Sequence, residues 1–85
     1  MKLGVQFRGQ VISNSQRRWF THSWNVADHV IWTVVPTSPA VDGLAQIEWK
    51  VQVTRQSAQF VKYFIEVCNL TDSPVEIEAR YVVLD

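Results

Sequence analysis

Two histidines and an aspartate lie close together in the sequence and carry side chains that can bind a metal ion. His22 and His29 flank a short loop-like segment, and Asp28 directly precedes the second histidine. Zinc sites usually have three or four well-placed ligands, and the only cysteine, Cys68, lies far along the chain. We therefore predict no metal site and no cofactor, with one histidine hydrogen-bonded to a loop carbonyl and the other exposed.

Covalent or acid–base catalysis would depend on Cys68 and on the carboxylates. Cys68 lies in a strand-like segment with no helix N-terminus predicted nearby to activate its thiol, so we interpret it as a packing residue. Glu76 and Glu78 alternate on one face of a strand, about 7 Å apart. Such alternation is typical of carboxylates that face water, whereas glycosidase chemistry needs two carboxylates flanking a cleft. The sequence therefore favours a protein that is not an enzyme.

The segment "NLT", Asn69 to Thr71, matches the pattern for N-glycosylation. This short pattern is frequent by chance and matters only in a secreted eukaryotic protein. We instead expect Asn69 to make hydrogen bonds at the start of a turn.

The segment "RRWFTHSW", residues 17–24, holds two arginines, three aromatic residues and a histidine. On one continuous strand Trp19 and Trp24 would face opposite sides, so both could be buried only if the strand ended before Trp24. We therefore expect at least one of them at an edge, a loop or an interface. Exposed tryptophan beside arginine is typical of binding hot spots. The alternative is a structural pair in which an arginine stacks over a tryptophan ring.

The bulk composition limits the classes of partner. The 85 residues predict a single domain, 1–85, and the formal net charge is zero without basic runs, which argues against a nucleic-acid partner. Hydrophobic residues make up 47% and charged residues 19%, a low charged fraction for a soluble domain. Together with four tryptophans, this composition suggests more apolar surface than one small core needs. A second chain could cover the surplus.

The sequence contains no apolar run long enough for a signal peptide or a membrane span. A single cysteine excludes an internal disulfide, which small secreted domains usually contain. These features favour the cytoplasm over a secreted location without identifying the compartment.

The elements that must position these residues alternate with period two, as strands do. In the first strand we predict one inward row, consisting of Leu3, Val5, Phe7, Gly9 and Val11. Residues 29–35, "HVIWTVV", are almost continuously apolar, which predicts burial on both faces or burial of one face by a partner.

The second half of the chain alternates more strictly. Between residues 46 and 55 the row predicted to point inwards consists of Ile47, Trp49, Val51 and Val53.

Residues 60–70 and 75–84 are joined by the turn "TDSP", and each carries its own inward row. We predict that they form an antiparallel hairpin in which Glu66 faces Arg80 and Phe64 faces Val82.

Six short strands without a helical period predict an all-β fold, specifically a small antiparallel β-sandwich, either immunoglobulin-like or jelly-roll-like. A small closed barrel is the alternative. We predict a non-enzymatic interaction or structural module that self-associates, as a dimer or trimer, through an aromatic strand face. The predicted binding residues are Arg17, Arg18, Trp19, His22, Trp24, His29 and Trp32, with the two arginines at the rim.

A lectin-like module that binds a carbohydrate or another small ligand is the alternative function. Tryptophan faces stack on sugar rings, and nearby polar side chains supply hydrogen bonds. The shallow site at one end of the sandwich would then consist of Trp19, His22, Trp24, Asn25, Asp28 and His29. In either case the partner is a protein or a glycan.

Overall fold

A computed structural model of the chain describes residues 1–84, and Asp85 lies outside the described residues. The described residues form seven strands in two antiparallel sheets that pack face to face, which confirms the all-β sandwich over the closed barrel. The strands are β1 (Lys2–Val11), β2 (Gln16–Phe20), β3 (Trp24–Asn25), β4 (His29–Ser38), β5 (Ile47–Arg55), β6 (Phe60–Asn69) and β7 (Val75–Leu84). Among these residues there is no helix long and apolar enough to cross a membrane.

Each sheet has one central strand. The first sheet has the order β1-β7-β4, and in the second sheet β6 pairs with β2 and β3 along one side and with β5 along the other. Strands β5 and β6 form a hairpin within one sheet, whereas the links that follow β1, β3, β4 and β6 cross between the sheets. The two central strands are therefore the ones with a neighbour on both sides.

The core lies between the two central strands. Ile65 and Val67 of β6 and Val75, Ile77 and Ala79 of β7 are at most 1% exposed. This confirms the inward rows predicted for both strands. Because burial of these side chains removes apolar surface from water, the β6–β7 contact supplies much of the stability of the fold.

The predicted hairpin between β6 and β7 is wrong, because the two strands belong to different sheets and their inward rows meet face to face. Asn69 lies at the crossing and is 3% exposed. Its Nδ2 donates to the carbonyls of Val11 (3.0 Å) and Ser73 (2.8 Å), while its Oδ1 accepts from the backbone nitrogen of Thr71 (2.8 Å). Asn69 therefore ties the crossing link to β1, and the nitrogen that glycosylation would modify is buried in two hydrogen bonds.

The first strand also differs from its prediction. A register shift between Val5 and Phe7 interrupts the pairing of β1 with β7. Phe7 lies opposite the buried Ala79, whereas Val5 lies opposite Arg80. The bulge therefore turns Val5 and Leu3 to the outer face, where they are 41% and 69% exposed.

Candidate functional site

The segment with both arginines and both tryptophans is not one strand but two, which raises the strand count from the predicted six to seven. β2 and β3 pair with the same side of β6 and are separated at residues 21–23. At the break, the Thr21 hydroxyl donates to the Tyr63 carbonyl (3.1 Å) and accepts from the Tyr63 nitrogen (3.1 Å). Ser23 adopts a positive φ of 61°. This break removes the parity conflict, so Trp19 and Trp24 both pack against the core.

The rings of Trp24 and Trp32 lie in one aromatic cluster inside the sandwich. Their centroids are 5.3 Å apart in an edge-to-face arrangement, and Trp24 also contacts Tyr81 at 5.2 Å. Trp32 is 6% exposed. The Trp24 Nε1 donates to the Thr21 hydroxyl (3.0 Å), whereas the buried Trp32 Nε1 has no acceptor within residues 1–84. These rings stabilise the monomer, so they are not free to form the exposed aromatic face that the sequence favoured.

Trp19 is also engaged within the chain. Its ring stacks on Phe7, with centroids 4.6 Å apart and an interplanar angle of 19°. The Arg17 guanidinium lies 4.6 Å from the centroid of Trp19 and donates through Nη1 to the Gln10 carbonyl (3.1 Å). This is the structural cation–π arrangement, worth about 0.5–1 kcal/mol at an exposed site.

Arg18 lies on the outer face of the second sheet. Its guanidinium carbon is 4.6 Å from the Phe64 ring centroid and 5.8 Å from that of Phe20. Its Nη2 donates to Oε1 of Gln52 on β5 (3.2 Å). Arg18 thus spans the full width of the sheet across β6.

A shallow cleft of about 410 Å³ lies at one end of the sandwich. Four residues of the lectin-like site line it, namely His22, Trp24, Asn25 and Asp28. Trp19 and His29 do not. The sequence did not indicate the other lining residues, which come from distant strands: Lys2, Gln6, Ser23, Phe60, Tyr81 and Val83.

The cleft has one polar side and one aromatic side. Asn25 is held in a turn because its Oδ1 accepts a hydrogen bond from the backbone nitrogen of Ala27 (2.8 Å). Burial raises the pKa of the Tyr63 hydroxyl above its ordinary value, and the negative charge of Asp28 raises it further. Asp28 is therefore close enough to the aromatic cluster to act on it electrostatically. Within residues 1–84 no three His, Cys, Asp or Glu side chains converge to hold a metal ion.

A second exposed feature is the apolar row of β5. Its register with β6 sets Trp49 opposite Val67 and Val51 opposite Ile65, so the row faces inwards as predicted. However, Trp49 is 38%, Val51 36% and Val53 57% exposed. Only Ile47, at the start of the strand, packs against the core. The opposite sheet therefore covers the first part of this row and leaves the rest in contact with water.

The free edge of β5 is also more regular than the other sheet edges. β1 contains a bulge, β4 contains Pro36 with a register shift beside it, and the β2–β3 edge is broken in two. Such interruptions prevent edge strands from pairing with other chains. β5 has nine residues without proline and keeps one unbroken register with β6 from Ile47 to Arg55. Its unpaired backbone groups are therefore open to another strand.

Comparison with protein-family models, with curated proteins and with solved structures finds no match for this chain.

Sequence reasoning did not identify β5 as a surface, because alternation shows that a strand has one apolar face and not whether a second sheet covers that face. The available signal was the length of the strand without proline, glycine or a turn residue.

Proposed function

We propose that this protein is a non-enzymatic interaction module that self-associates through the exposed apolar row of β5. Trp49, Val51 and Val53 carry the proposal, because they are exposed side by side on an uninterrupted sheet edge. The aromatic segment at residues 17–24 stabilises the monomer in this interpretation. The proposed contact has therefore moved from the aromatic strand face to β5.

A magnitude indicates how strong the apolar contribution can be. Full burial of such a side chain is worth about 1.5–3 kcal/mol, and these three are already about half buried. Six side chains from two copies would then contribute about 6 kcal/mol. Association itself costs about 4–15 kcal/mol. The apolar row alone would give a weak complex, so a tight one needs a further contact between the copies.

The mass in solution tests this proposal. We expect light scattering after size exclusion to give a dimer or trimer in the wild type. We expect Val51→Lys to give a monomer, because it would place an ammonium group in the contact. Gln52→Lys is the matched control, since it adds the same group on the opposite face of the same strand. A wild-type protein that stays monomeric at high concentration would overturn the proposal.

The second candidate function is binding of a carbohydrate or another small polar ligand in the end cleft. The convergence of Trp24, His22, Asn25 and Asp28 supports it, since an aromatic ring surrounded by hydrogen-bonding groups is the usual composition of sugar sites.

A glycan array read with the wild type and with Asp28→Ala tests this candidate. Sugar binding that Asp28→Ala abolishes, with an unchanged oligomer, would favour the lectin-like function. Binding by neither protein would remove it.

A further inference from the structure

We infer that two copies of this chain pair their β5 strands edge to edge, antiparallel, with Trp49 of each copy opposite Trp49 of the other. This inference rests on the proposed self-association and adds its geometry. A backbone ladder between the copies is the further contact that the apolar row alone lacks. The occupant of the β5 edge is therefore a second copy of the same chain.

The free edge itself favours strand pairing over other kinds of contact. A nine-residue strand with one unpaired side presents backbone donors and acceptors at regular spacing, which only another strand satisfies in full. Lys50 would normally protect such an edge, but its ammonium group lies 3.0 Å from Glu66 of β6 and so is drawn back over the sheet. The edge is left without a charge that points outwards along the sheet plane.

Charge complementarity selects the register. A pairing centred on Glu48 or on Lys50 would set two like charges directly opposite each other. A pairing centred on Val51 would set Ile47 opposite Arg55. Centring on Trp49 instead sets Glu48 of each copy opposite Lys50 of the other, and Ile47 opposite Val51.

The charges already present in the sheet continue through this register. Within one chain, Arg18 lies opposite Glu66, and Glu66 lies opposite Lys50. Glu48 of the second copy would extend this row, so that positive and negative side chains alternate across the joint. On the inner face, the two Trp49 rings would cover each other's exposed surface, as cross-strand aromatic pairs do.

Charge reversal tests the pairing without disturbing the core, because Glu48 and Lys50 are exposed. Glu48→Lys and Lys50→Glu should each weaken the homodimer about ten-fold, since each sets like charges opposite each other at two places. An equimolar mixture of the two variants should form a heterodimer at about wild-type affinity, because every opposed pair is again of opposite sign. The measurement is sedimentation equilibrium of each variant and of the mixture.

The outcomes separate the two proposals. A monomeric wild type would overturn the proposed function, and the pairing with it. A wild-type oligomer in which the mixture binds no better than either variant would overturn the β5 pairing alone.

Disulfide formation provides a second measurement that does not depend on charge. In a Cys68→Ser background, Trp49→Cys should form an intermolecular disulfide on oxidation, because directly opposite Cβ atoms are about 4.5–5.5 Å apart. Val51→Cys should not, because its counterpart would lie about 13 Å away along the strand. Cross-linking of Val51→Cys without that of Trp49→Cys would overturn this register.

Discussion

The two neighbours of strand β6 differ in how their apolar side chains are covered. On one side, β2 and β3 are short, are separated by a break at Thr21, and turn Trp19 and Trp24 onto the core. On the other side, β5 is long and regular, yet Trp49 remains 38% exposed. Both sides are rich in aromatic and β-branched residues. The interrupted side is the covered one, and the regular side is the exposed one.

The difference shows that regularity and burial need not go together in a small sandwich. A break lets a strand change parity, so that two tryptophans of opposite parity can reach the same core. A regular strand keeps its apolar row on one face along its whole length, and a three-strand-wide opposite sheet does not extend over all of it. The cost is apolar surface left in water, which another copy can cover.

The largest effect expected from this comparison is on stability. Trp24→Ala should lower the free energy of unfolding by about 3–4 kcal/mol, because it removes a ring packed against the core. Trp49→Ala should lower it by less than about 1 kcal/mol in the monomer, because its ring is already partly in water.

Urea denaturation at several protein concentrations measures both values and separates monomer stability from association. Equal losses in the two variants would show that the two sides of β6 are covered alike.

A smaller effect should follow from removing one hydroxyl. Thr21 is 2% exposed, and its hydroxyl accepts from Trp24 Nε1 (3.0 Å) and from the Tyr63 nitrogen (3.1 Å). Thr21→Val keeps the shape and leaves those buried donors unpaired, so we expect a loss of about 2 kcal/mol. Thr54→Val on the exposed β5 is the matched control and should change stability by at most about 0.5 kcal/mol. Thermal unfolding of the pair would contradict us if both variants lost equally.

The smallest effect concerns the ionisation of Tyr63 beside the covered side. Its pKa is raised above the ordinary value of 10.0, first by burial and second by the charge of Asp28. Because the folded-state pKa lies above the unfolded value, this group's contribution to stability is complete below pH 10 and is lost as the pH rises through the folded-state pKa.

Asp28→Asn should lower the pKa of Tyr63 part of the way, since burial, the larger cause, remains. NMR titration of the Tyr63 ring carbons measures the change. An unchanged titration would mean that Asp28 does not act on the aromatic cluster.

Particular strands show how far sequence reasoning reaches. The inward rows of β6 and β7 were predictable because strict alternation on a strand determines which side chains share a face. The bulge in β1 was not, because a register shift depends on the pairing with β7 and leaves no trace in alternation. The same limit hid the relation between Trp19 and Trp24, whose parity changes through backbone and hydroxyl contacts to Tyr63. The exposure of β5 depends on the extent of the opposite sheet.

The sequence by itself determined the fold class, the sandwich layout and the composition of the end cleft around Trp24 and Asp28. These features follow from local patterns, since alternation, turn residues and side-chain type act over a few residues. Only the tertiary structure decided that β6 and β7 face each other rather than pair, that the tryptophans of residues 17–24 pack inwards, and that β5 has a free edge. Each of those depends on which distant strand lies beside or above a given one, and a single strand satisfies its apolar face equally well against either neighbour.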